Sequence, residues 1–301
     1  MLFRSPAAFV AGLLNSQPMG FYSPSQLLQD ARRHGVSVLP VDVNHSDWDH
    51  QLLDSRQGLS AQPPLRLGLR LVKGLSRQGA QRIVEARRHA PFRQVSELRQ
   101  RTSLDKRDME ALADADALRS LSGHRHQSQW QIMALEQPRP LLRDELQQPS
   151  SYFDDAVQLP APQVAEEVLS DYRATGLTLR AHPMSLLRER YPFNRCKRHT
   201  DLEDIGNNRF VRIAGLVTCR QRPGSASGVL FLTLEDETGS SNIVVWQRTQ
   251  QQFRQALMTA QLLLIKGTVE TRDNVIHIIA GALHDYSQEL HALQLSSRNF
   301  R

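Results

Sequence analysis

The chain has 301 residues and a net charge of +6 from 37 basic and 31 acidic side chains, a size that suits two or three small domains. Its two cysteines, Cys196 and Cys219, form no CxxC pair and no disulfide framework, so we expect a reducing, cytoplasmic setting. No apolar run approaches the ~18 residues that a membrane-spanning helix needs.

The first predicted element is a short helix near the start of the chain. Ser23 is placed to cap it, Pro24 to begin it and Gly35 to end it. Its last turn carries the adjacent pair Arg32 and Arg33. Two cations at the carboxyl end of a helix interact favourably with its dipole, by ~0.3 to 1 kcal/mol. That is one explanation of the pair, and contact with an anionic ligand is the other.

A basic block follows between Leu65 and Arg107, with 12 Lys and Arg residues against three acidic ones. Clustering over so short a span favours a surface that binds a polyanion, although a solvated helical face has the same composition. Within the block, the glycine-containing turn 73–76 stands directly before a helical pattern. This matches one half of a helix-hairpin-helix, in which a tight turn presents backbone N–H groups to a phosphate.

The predicted DNA contacts of this hairpin lie in the turn and on the following helix: Lys73, Gly74, Ser76, Arg77 and Arg82. The motif usually has a second glycine where Ser76 stands. A more degenerate second copy covers residues 95–118, where Asp105 is placed to cap a helix and Lys106 adds charge. Two tandem copies would hold the backbone of duplex DNA without reading its sequence. An ordinary helical hairpin with a solvated basic face is the alternative.

Two pairs in this region have the spacing of metal ligands. Asp114 and Asp116 form a DxD pair at the end of a helix, and His124 and His126 form an HxH pair without further ligands nearby in the sequence. We therefore predict no metal site. The sequence also shows no nucleophile elbow, no phosphate-cradling glycine loop and no paired catalytic carboxylates, so we predict no catalytic residue.

The second half of the chain changes from a proline-rich connector with helices to a β pattern. Three strands, an amphipathic helix and two more strands follow between residues 206 and 288, with Gly215 expected at a bulge or a sharp bend in the first strand. This order predicts a five-stranded OB-fold barrel, which binds oligonucleotides on strands two and three and on two loops. The expected fold class is α+β and multidomain: a helical fingers end and tandem helix-hairpin-helix region, then the OB-fold.

Five residues of the predicted barrel are candidates for contact with nucleic acid. Arg220 and Arg222 lie in the loop between strands one and two, and Arg272 lies between strands four and five. Phe231 and Trp246 are candidates for base stacking, which contributes ~1 to 3 kcal/mol per base. Either ring would also suit the barrel core.

Three segments, in this order, are typical of one protein family: "QPMGFYSPSQLLQDARRHGV", "RLGLRLVKGLSRQGAQRIVEAR", and "FVRIAGLVTCRQRPG" with "FLTLEDETG". Over essentially its whole length the chain resembles the carboxy-terminal part of the error-prone branch of bacterial C-family DNA polymerases, which are related to the DNA polymerase III alpha subunit. The resemblance implies five parts: a fingers-like segment (1–62), a tandem helix-hairpin-helix domain (63–136), a connector with helices (137–205), an OB-fold domain (206–288) and a tail (289–301).

In that family the fingers approach the triphosphate of the incoming nucleotide, so the resemblance implies this role for Arg32 and Arg33. It also implies a function in damage-induced mutagenesis and translesion synthesis, with accessory mutagenesis proteins as partners. The family's metal-binding and palm domains, whose carboxylates hold Mg²⁺, have no counterpart in this chain. We therefore expect no cofactor here, and DNA binding without polymerisation by the chain alone.

Two alternatives to the polymerase remain. One is a stand-alone module that binds DNA or docks a partner protein, and the other is an RNA-binding OB-fold protein, which would prefer single-stranded RNA over duplex DNA. The stretch "QLSSR" at 294–298 copies only the start of the family's sliding-clamp motif, so we expect no direct clamp binding.

Overall fold

The computed structural model describes residues 5–18, 23–53, 62–135, 157–222, 228–272 and 275–295. The chain forms two compact units. Unit 1 comprises residues 1–19, 30–163 and 170–177, and unit 2 comprises residues 20–29, 164–169 and 178–301. None of the helices in the described ranges is long and apolar enough to cross a lipid bilayer. The sliding-clamp stretch 294–298 lies outside the residues whose side chains are described.

Two helices at the start of the chain begin at capping serines. Ser5 caps α1 (Pro6–Asn15). In α2 (Pro24–Arg33), the Ser23 hydroxyl accepts from the N–H of Gln26, and the Gln26 side chain accepts from the N–H of Ser23. Helix α2 is terminated by a turn in which Gly35 has a φ of +76°. The predicted bounds of this helix are confirmed.

A small sheet in unit 1 joins the fingers-like segment to the basic block. Its strands are β1 (Val38–Leu39), β2 (Gln51–Leu52) and β3 (Leu65–Arg66), and β3 lies between the other two. Strand β3 pairs parallel with β1 and antiparallel with β2. The boundary that we expected at residues 62/63 therefore falls inside one sheet.

Short helices form the rest of unit 1. After a 3-10 turn at Leu69–Leu71 they are α3 (Arg77–Arg87), α4 (Val95–Thr102), α5 (Lys106–Asp114), α6 (Arg119–Ser122) and α7 (Arg125–Ala134). Helix α3 packs on α4, and α5 packs on α7. Arg125 and Asp171, both almost fully buried, form an ion pair of 2.6 Å that ties α7 to the end of α8 (Val164–Ala174).

Unit 2 contains the predicted five-stranded barrel. The strands are β4 (Phe210–Gln221), β5 (Leu230–Glu235), β6 (Ser240–Val245), β7 (Leu262–Arg272) and β8 (Val275–Asp285). They close in the order β4-β5-β6-β8-β7, with β6 parallel to β8. Leu230, Leu232 and Leu234 of β5 point into the core, as their alternation predicts. The OB-fold prediction is confirmed.

Two details of the barrel differ from the sequence prediction. Gly215 does not mark a bulge, because the register of β4 and β5 shifts further along, between Val217 and Cys219. The glycine is needed for close approach instead: a Cβ there would lie 2.7 Å from the backbone oxygen of Glu235. The predicted single helix is also two short ones, α10 (Gln247–Gln252) and α11 (Arg254–Thr259), separated at Phe253.

A second apolar core covers part of the outer face of β4 and β7. Ala214, Leu262 and Leu264 face outward from the barrel and are buried by other elements of unit 2. These elements are α9 (Pro183–Leu187), the 3-10 turn Phe193–Arg195 and α12 (Ser287–Leu295). Further along the two strands, Phe210 and Arg212 of β4 are exposed.

Candidate nucleic-acid interface

The first hairpin has the backbone that a phosphate-binding turn needs. Gly74 has a φ of +89°, a conformation that favours glycine over other residues. Ser76 follows in extended geometry and caps α3, where its hydroxyl accepts from the N–H of Gly79 at 2.9 Å. The motif usually has glycine at this position. Because Ser76 has a φ of −73°, outside the left-handed region that favours glycine, a serine fits there without strain.

A buried carboxylate joins the first hairpin to the second. Asp108, on the first turn of α5, accepts from the Ser76 N–H and from the Ser76 hydroxyl, each at 2.8 Å. Asp105 caps α5 by accepting from the N–H of Asp108 at 2.8 Å, as predicted. The starts of α3 and α5 are therefore held side by side. Sequence reasoning missed the role of Asp108, which no local pattern indicates.

Backbone donors remain at the start of α3. The first N–H groups of a helix have no partner within the helix. Those of Ser76 and Gly79 are satisfied by side chains, whereas those of Arg77 and Gln78 have no hydrogen-bond acceptor among the described residues. The side chains of both residues are exposed. Two donors at a helix start, beside exposed cations, match the chemistry of a phosphate oxygen.

The basic block divides into two classes of residue. Five arginines are only partly exposed and donate to backbone carbonyls within unit 1: Arg66, Arg70, Arg87, Arg99 and Arg101. Seven cations are exposed: Lys73, Arg77, Arg82, Arg88, Arg93, Lys106 and Arg107. The block is therefore partly structural, and only the second class is available to a polyanion.

The lysines and arginines among the predicted hairpin contacts all belong to the exposed class. Lys73 donates to the carbonyl of Tyr172 at 3.3 Å, and the Arg77 guanidinium lies 5.8 Å from the ring centre of Trp48. Arg82 donates to the carbonyl of Ser103 in the second turn at 2.9 Å. Lys106 lies 3.7 Å from Glu110, a weak surface pair. The two turns thus present their cations on neighbouring parts of one unit.

The pair at the end of α2 is exposed, as the predicted triphosphate contact requires. Arg32 and Arg33 occupy the last turn of the helix, where they also complement its dipole. Both side chains have interactions within the chain. The position of the pair is therefore compatible both with stabilisation of the helix dipole and with contact to an anionic ligand.

The barrel presents one of its candidate rings on the face that OB-folds use. Phe231 points outward from β5 between Gln221 of β4 and Val244 of β6, and it is half-buried. Trp246 follows the last residue of β6 and is 53% exposed. Neither ring belongs to the barrel core. Both are therefore accessible for stacking on a base.

The three arginines predicted near the barrel loops differ in their surroundings. Arg220 donates from Nε to the carbonyl of Leu257 at 2.8 Å and from Nη2 to the carbonyl of Ala260, so it caps the carboxyl end of α11. Desolvation there lowers the pKa of Arg220. Arg220 therefore has a structural role, and its predicted phosphate contact stays a prediction. Arg222 donates to Gln250 at 2.6 Å, and Arg272 ends β7 and is exposed.

The pairs with metal-ligand spacing serve the packing of unit 1. Asp116 pairs with Arg119 at 3.0 Å, and Asp114 accepts from Gln129 at 2.9 Å. His124 caps α7 by accepting from the N–H of Gln127 at 3.3 Å. Within the described residues, no group of three or more His, Cys, Asp or Glu side chains is placed to hold a metal ion.

Two family models match the chain in the regions described above. The model for the helix-hairpin-helix motif matches residues 35–128, and the model for the OB-fold nucleic acid binding domain matches residues 211–286. Among solved structures, asparaginyl-tRNA synthetase from Pyrococcus horikoshii is 22% identical over 26% of this chain and 20% of that chain, with a TM-score of 0.23.

Sequence relatives extend beyond both domains. An error-prone DNA polymerase from Saccharophagus degradans is 53% identical over 98% of this chain and 28% of that protein. An error-prone DNA polymerase from Teredinibacter turnerae is 50% identical over 98% of this chain and 29% of that protein. This chain spans between a quarter and a third of the length of these relatives, in agreement with a resemblance to their carboxy-terminal part. Along nearly its whole length, the chain is therefore homologous to one part of the error-prone DNA polymerases, a part made of a helix-hairpin-helix region and an OB-fold domain.

Proposed function

We propose that this chain is the DNA-binding part of an error-prone DNA polymerase that acts in damage-induced mutagenesis and translesion synthesis. The hairpins hold the backbone of the primer–template duplex, and the OB-fold holds the single-stranded template. The observation that carries this proposal is the set of exposed cations beside the open N–H groups of Arg77 and Gln78. The compartment of such a role is the bacterial cytoplasm, which contains the chromosome.

The geometry of the hairpins favours recognition of the backbone over recognition of sequence. Helix starts and lysine or arginine side chains contact phosphates, which position a protein on DNA but carry no base identity. Asp108 stabilises the arrangement because it fixes the starts of α3 and α5 next to each other. A polymerase that moves along any template requires a contact of this kind.

The nucleotide-positioning role of α2 is part of the same proposal. Arg32 and Arg33 would contact the triphosphate of the incoming nucleotide, in the manner that the family resemblance implies. In the complete polymerase, Mg²⁺ would be held by palm carboxylates and would assist phosphoryl transfer. We expect the isolated chain to bind DNA without incorporating nucleotides. Recruitment would depend on accessory mutagenesis proteins and not on direct contact with the sliding clamp.

The test is the affinity of the purified chain for four fluorescent ligands: a primer–template, a duplex, single-stranded DNA and single-stranded RNA. The variant carries Lys73→Ala, Arg77→Ala and Arg82→Ala. We expect it to lose at least ten-fold in affinity for the primer–template and the duplex. Because the OB-fold is unchanged, its affinity for single-stranded DNA should fall less.

A matched control removes three exposed cations of unit 2 instead, through Arg190→Ala, Arg248→Ala and Arg254→Ala. Equal losses in both variants would indicate a general charge effect and would contradict the hairpin site. Preference of the wild-type chain for RNA over every DNA ligand would support the RNA-binding alternative. If the wild-type chain bound no DNA even at low salt, the alternative of a module that docks a partner protein would be favoured.

A further inference from the structure

The outer surface of the barrel carries an exposed aromatic and basic patch away from strands β5 and β6. Phe210 and Arg212 of β4 alternate with the inward Val211 and face outward. Opposite them in the register lie Thr268 and Lys266 of β7. Phe210 is 64% exposed, and the Arg212 guanidinium lies 5.9 Å from its ring centre. We call Phe210, Arg212, Lys266 and Thr268 the β4–β7 patch.

This patch is the uncovered half of a face whose other half is buried. Two residue steps further along β4 and β7, Ala214 and Leu264 lie under the second apolar core. Neither Arg212 nor Lys266 belongs to that core, and Arg212 is exposed whereas Lys266 is half-buried. The large aromatic ring of Phe210 therefore stays in solvent on a strand whose outward Ala214 is covered, which makes the ring available to a ligand.

Positive charge around the patch has no neighbouring carboxylate in the part of the chain that the structure describes. Five cations are present on β4, on β7 and on the segments beside them: Arg195, Lys197, Arg209, Arg212 and Lys266. Among the described residues, none of the five has a carboxylate within 4 Å. The backbone N–H of Lys197 donates to the carbonyl of Arg212 at 2.8 Å, which fixes that segment beside β4. Glu270 lies beyond Thr268 on β7, on the side away from Lys266.

A second aromatic–arginine pair lies close to the patch. Tyr191 is 73% exposed, and the Arg195 guanidinium lies 5.3 Å from its ring centre. Arg195 is two residues from Lys197, a span of at most about 7 Å. Exposed rings beside unpaired cations are the combination with which proteins bind single-stranded nucleic acid, because bases stack on the rings while cations contact phosphates.

The strand register links the patch to the Phe231 face. Thr268 pairs with Ile279 of β8, Ile279 pairs with Val244 of β6, and Val244 pairs with Phe231. These positions therefore form a row around the barrel from Phe231 to Phe210, in which the side chain of Val244 is buried. Its four steps between strands span roughly 19 Å, at about 4.8 Å per step.

We propose that the β4–β7 patch is a second surface for single-stranded DNA, reached by a strand that crosses the row from Phe231. This inference rests on the proposed function, because it extends the path of the same template strand. Stacking on Phe210 and phosphate contacts from Arg212 and Lys266 hold the extension. A protein surface would need carboxylates to match the five cations, so the uncompensated charge favours nucleic acid.

The test compares two oligothymidylates, of about 4 and about 16 nucleotides, the ends of the range of OB-fold site sizes. The full chain carries Phe210→Ala, Arg212→Ala and Lys266→Ala. We expect the variant to lose at least ten-fold in affinity for the longer oligonucleotide and to bind the shorter one like the wild-type chain. Its plot of log affinity against log salt for the longer ligand should be shallower by ~1.4, at ~0.7 per lost phosphate contact.

Two further variants separate the possible outcomes. Arg212→Gln with Lys266→Gln keeps the ring and should lose affinity for the longer ligand, whereas Arg248→Ala with Arg254→Ala should change little. Wild-type affinity of the triple variant for both ligands, in a chain with an unchanged melting temperature, would overturn the patch and leave it as a protein contact. If the wild-type chain bound neither oligonucleotide, the proposed function of the OB-fold would itself fail.

Discussion

His50 is a buried histidine whose environment keeps it neutral. It is 5% exposed, and its Nδ1 accepts from the N–H of Gly68 at 3.1 Å. Desolvation and the nearby charge of Arg70 outweigh the effect of Asp49 and lower the pKa of His50 to about 4. The unfolded chain, with a histidine pKa near 6.5, binds the proton more strongly between these values.

We therefore expect unit 1 to lose stability as the pH falls from about 6.5 to about 4. The difference between the two pKa values of His50 corresponds to a loss of on the order of 3 kcal/mol in the free energy of unfolding. Urea denaturation at pH 7 and at pH 4.5 measures most of this loss. His50→Asn keeps an acceptor near Gly68 but cannot titrate, so its stability should depend less on pH. An equal pH dependence in the variant and the wild type would contradict this origin.

Arg220 and Phe231 allow structural and binding roles to be separated on one barrel. Arg220→Ala removes the cap of α11 and should lower the free energy of unfolding by about 1 to 3 kcal/mol, since its donors are charged. Phe231→Ala should instead weaken single-stranded DNA binding, by ~1 to 3 kcal/mol. Denaturation and fluorescence anisotropy on both variants provide the comparison. If the Arg220→Ala chain kept its full stability but lost affinity for DNA, Arg220 would be a DNA contact and not a stabilising cap.

At the scale of the element, the hairpins depend on the contact between Ser76 and Asp108. Ser76 both caps α3 and donates to the carboxylate at the start of α5. We expect Ser76→Ala to lower the free energy of unfolding by ~0.5 to 2 kcal/mol, the cost of losing an N-cap. A double-mutant cycle with Asp108→Ala should give a coupling energy well above zero. Additive effects of the two changes would show that the hairpins are not coupled through this pair.

The sequence predicted those elements whose patterns are local. Alternation in β5, the capping serine of α2 and the glycine of the first turn each depend on nearby residues, and the structure confirms them. Contacts between distant segments were not predictable in this way. Asp108 meets Ser76 across 32 residues, and Arg220 reaches α11 across 37. An arginine at the end of a strand and a helical aspartate carry no local sign of such partners.

The outward position of Phe210 and Arg212 could have been predicted but was not. In "FVRI" the inward assignment of Val211 and Ile213 already places the other two residues on the outside. Sequence reasoning concentrated on the loops and on β5 and β6, the usual ligand face of an OB-fold. The closed register was needed to show which part of the remaining surface is left uncovered.

At the scale of the whole molecule, the net charge of +6 does not show where the charge available for DNA lies. Five arginines of the basic block satisfy carbonyls inside unit 1, and acidic residues elsewhere offset much of the rest. The exposed cations are concentrated around the hairpins in unit 1 and around the barrel in unit 2. Each unit therefore has its own candidate surface, as expected for a protein that contacts both duplex and single-stranded DNA.

The salt dependence of duplex binding tests the central claim most directly. Each phosphate contact contributes ~0.9 to the slope of log affinity against log salt. The variant with Lys73→Ala, Arg77→Ala and Arg82→Ala should therefore have a slope shallower by ~2.7 than the wild-type chain. Equal slopes for the two proteins would show that these cations do not contact phosphates and would contradict the hairpin interface.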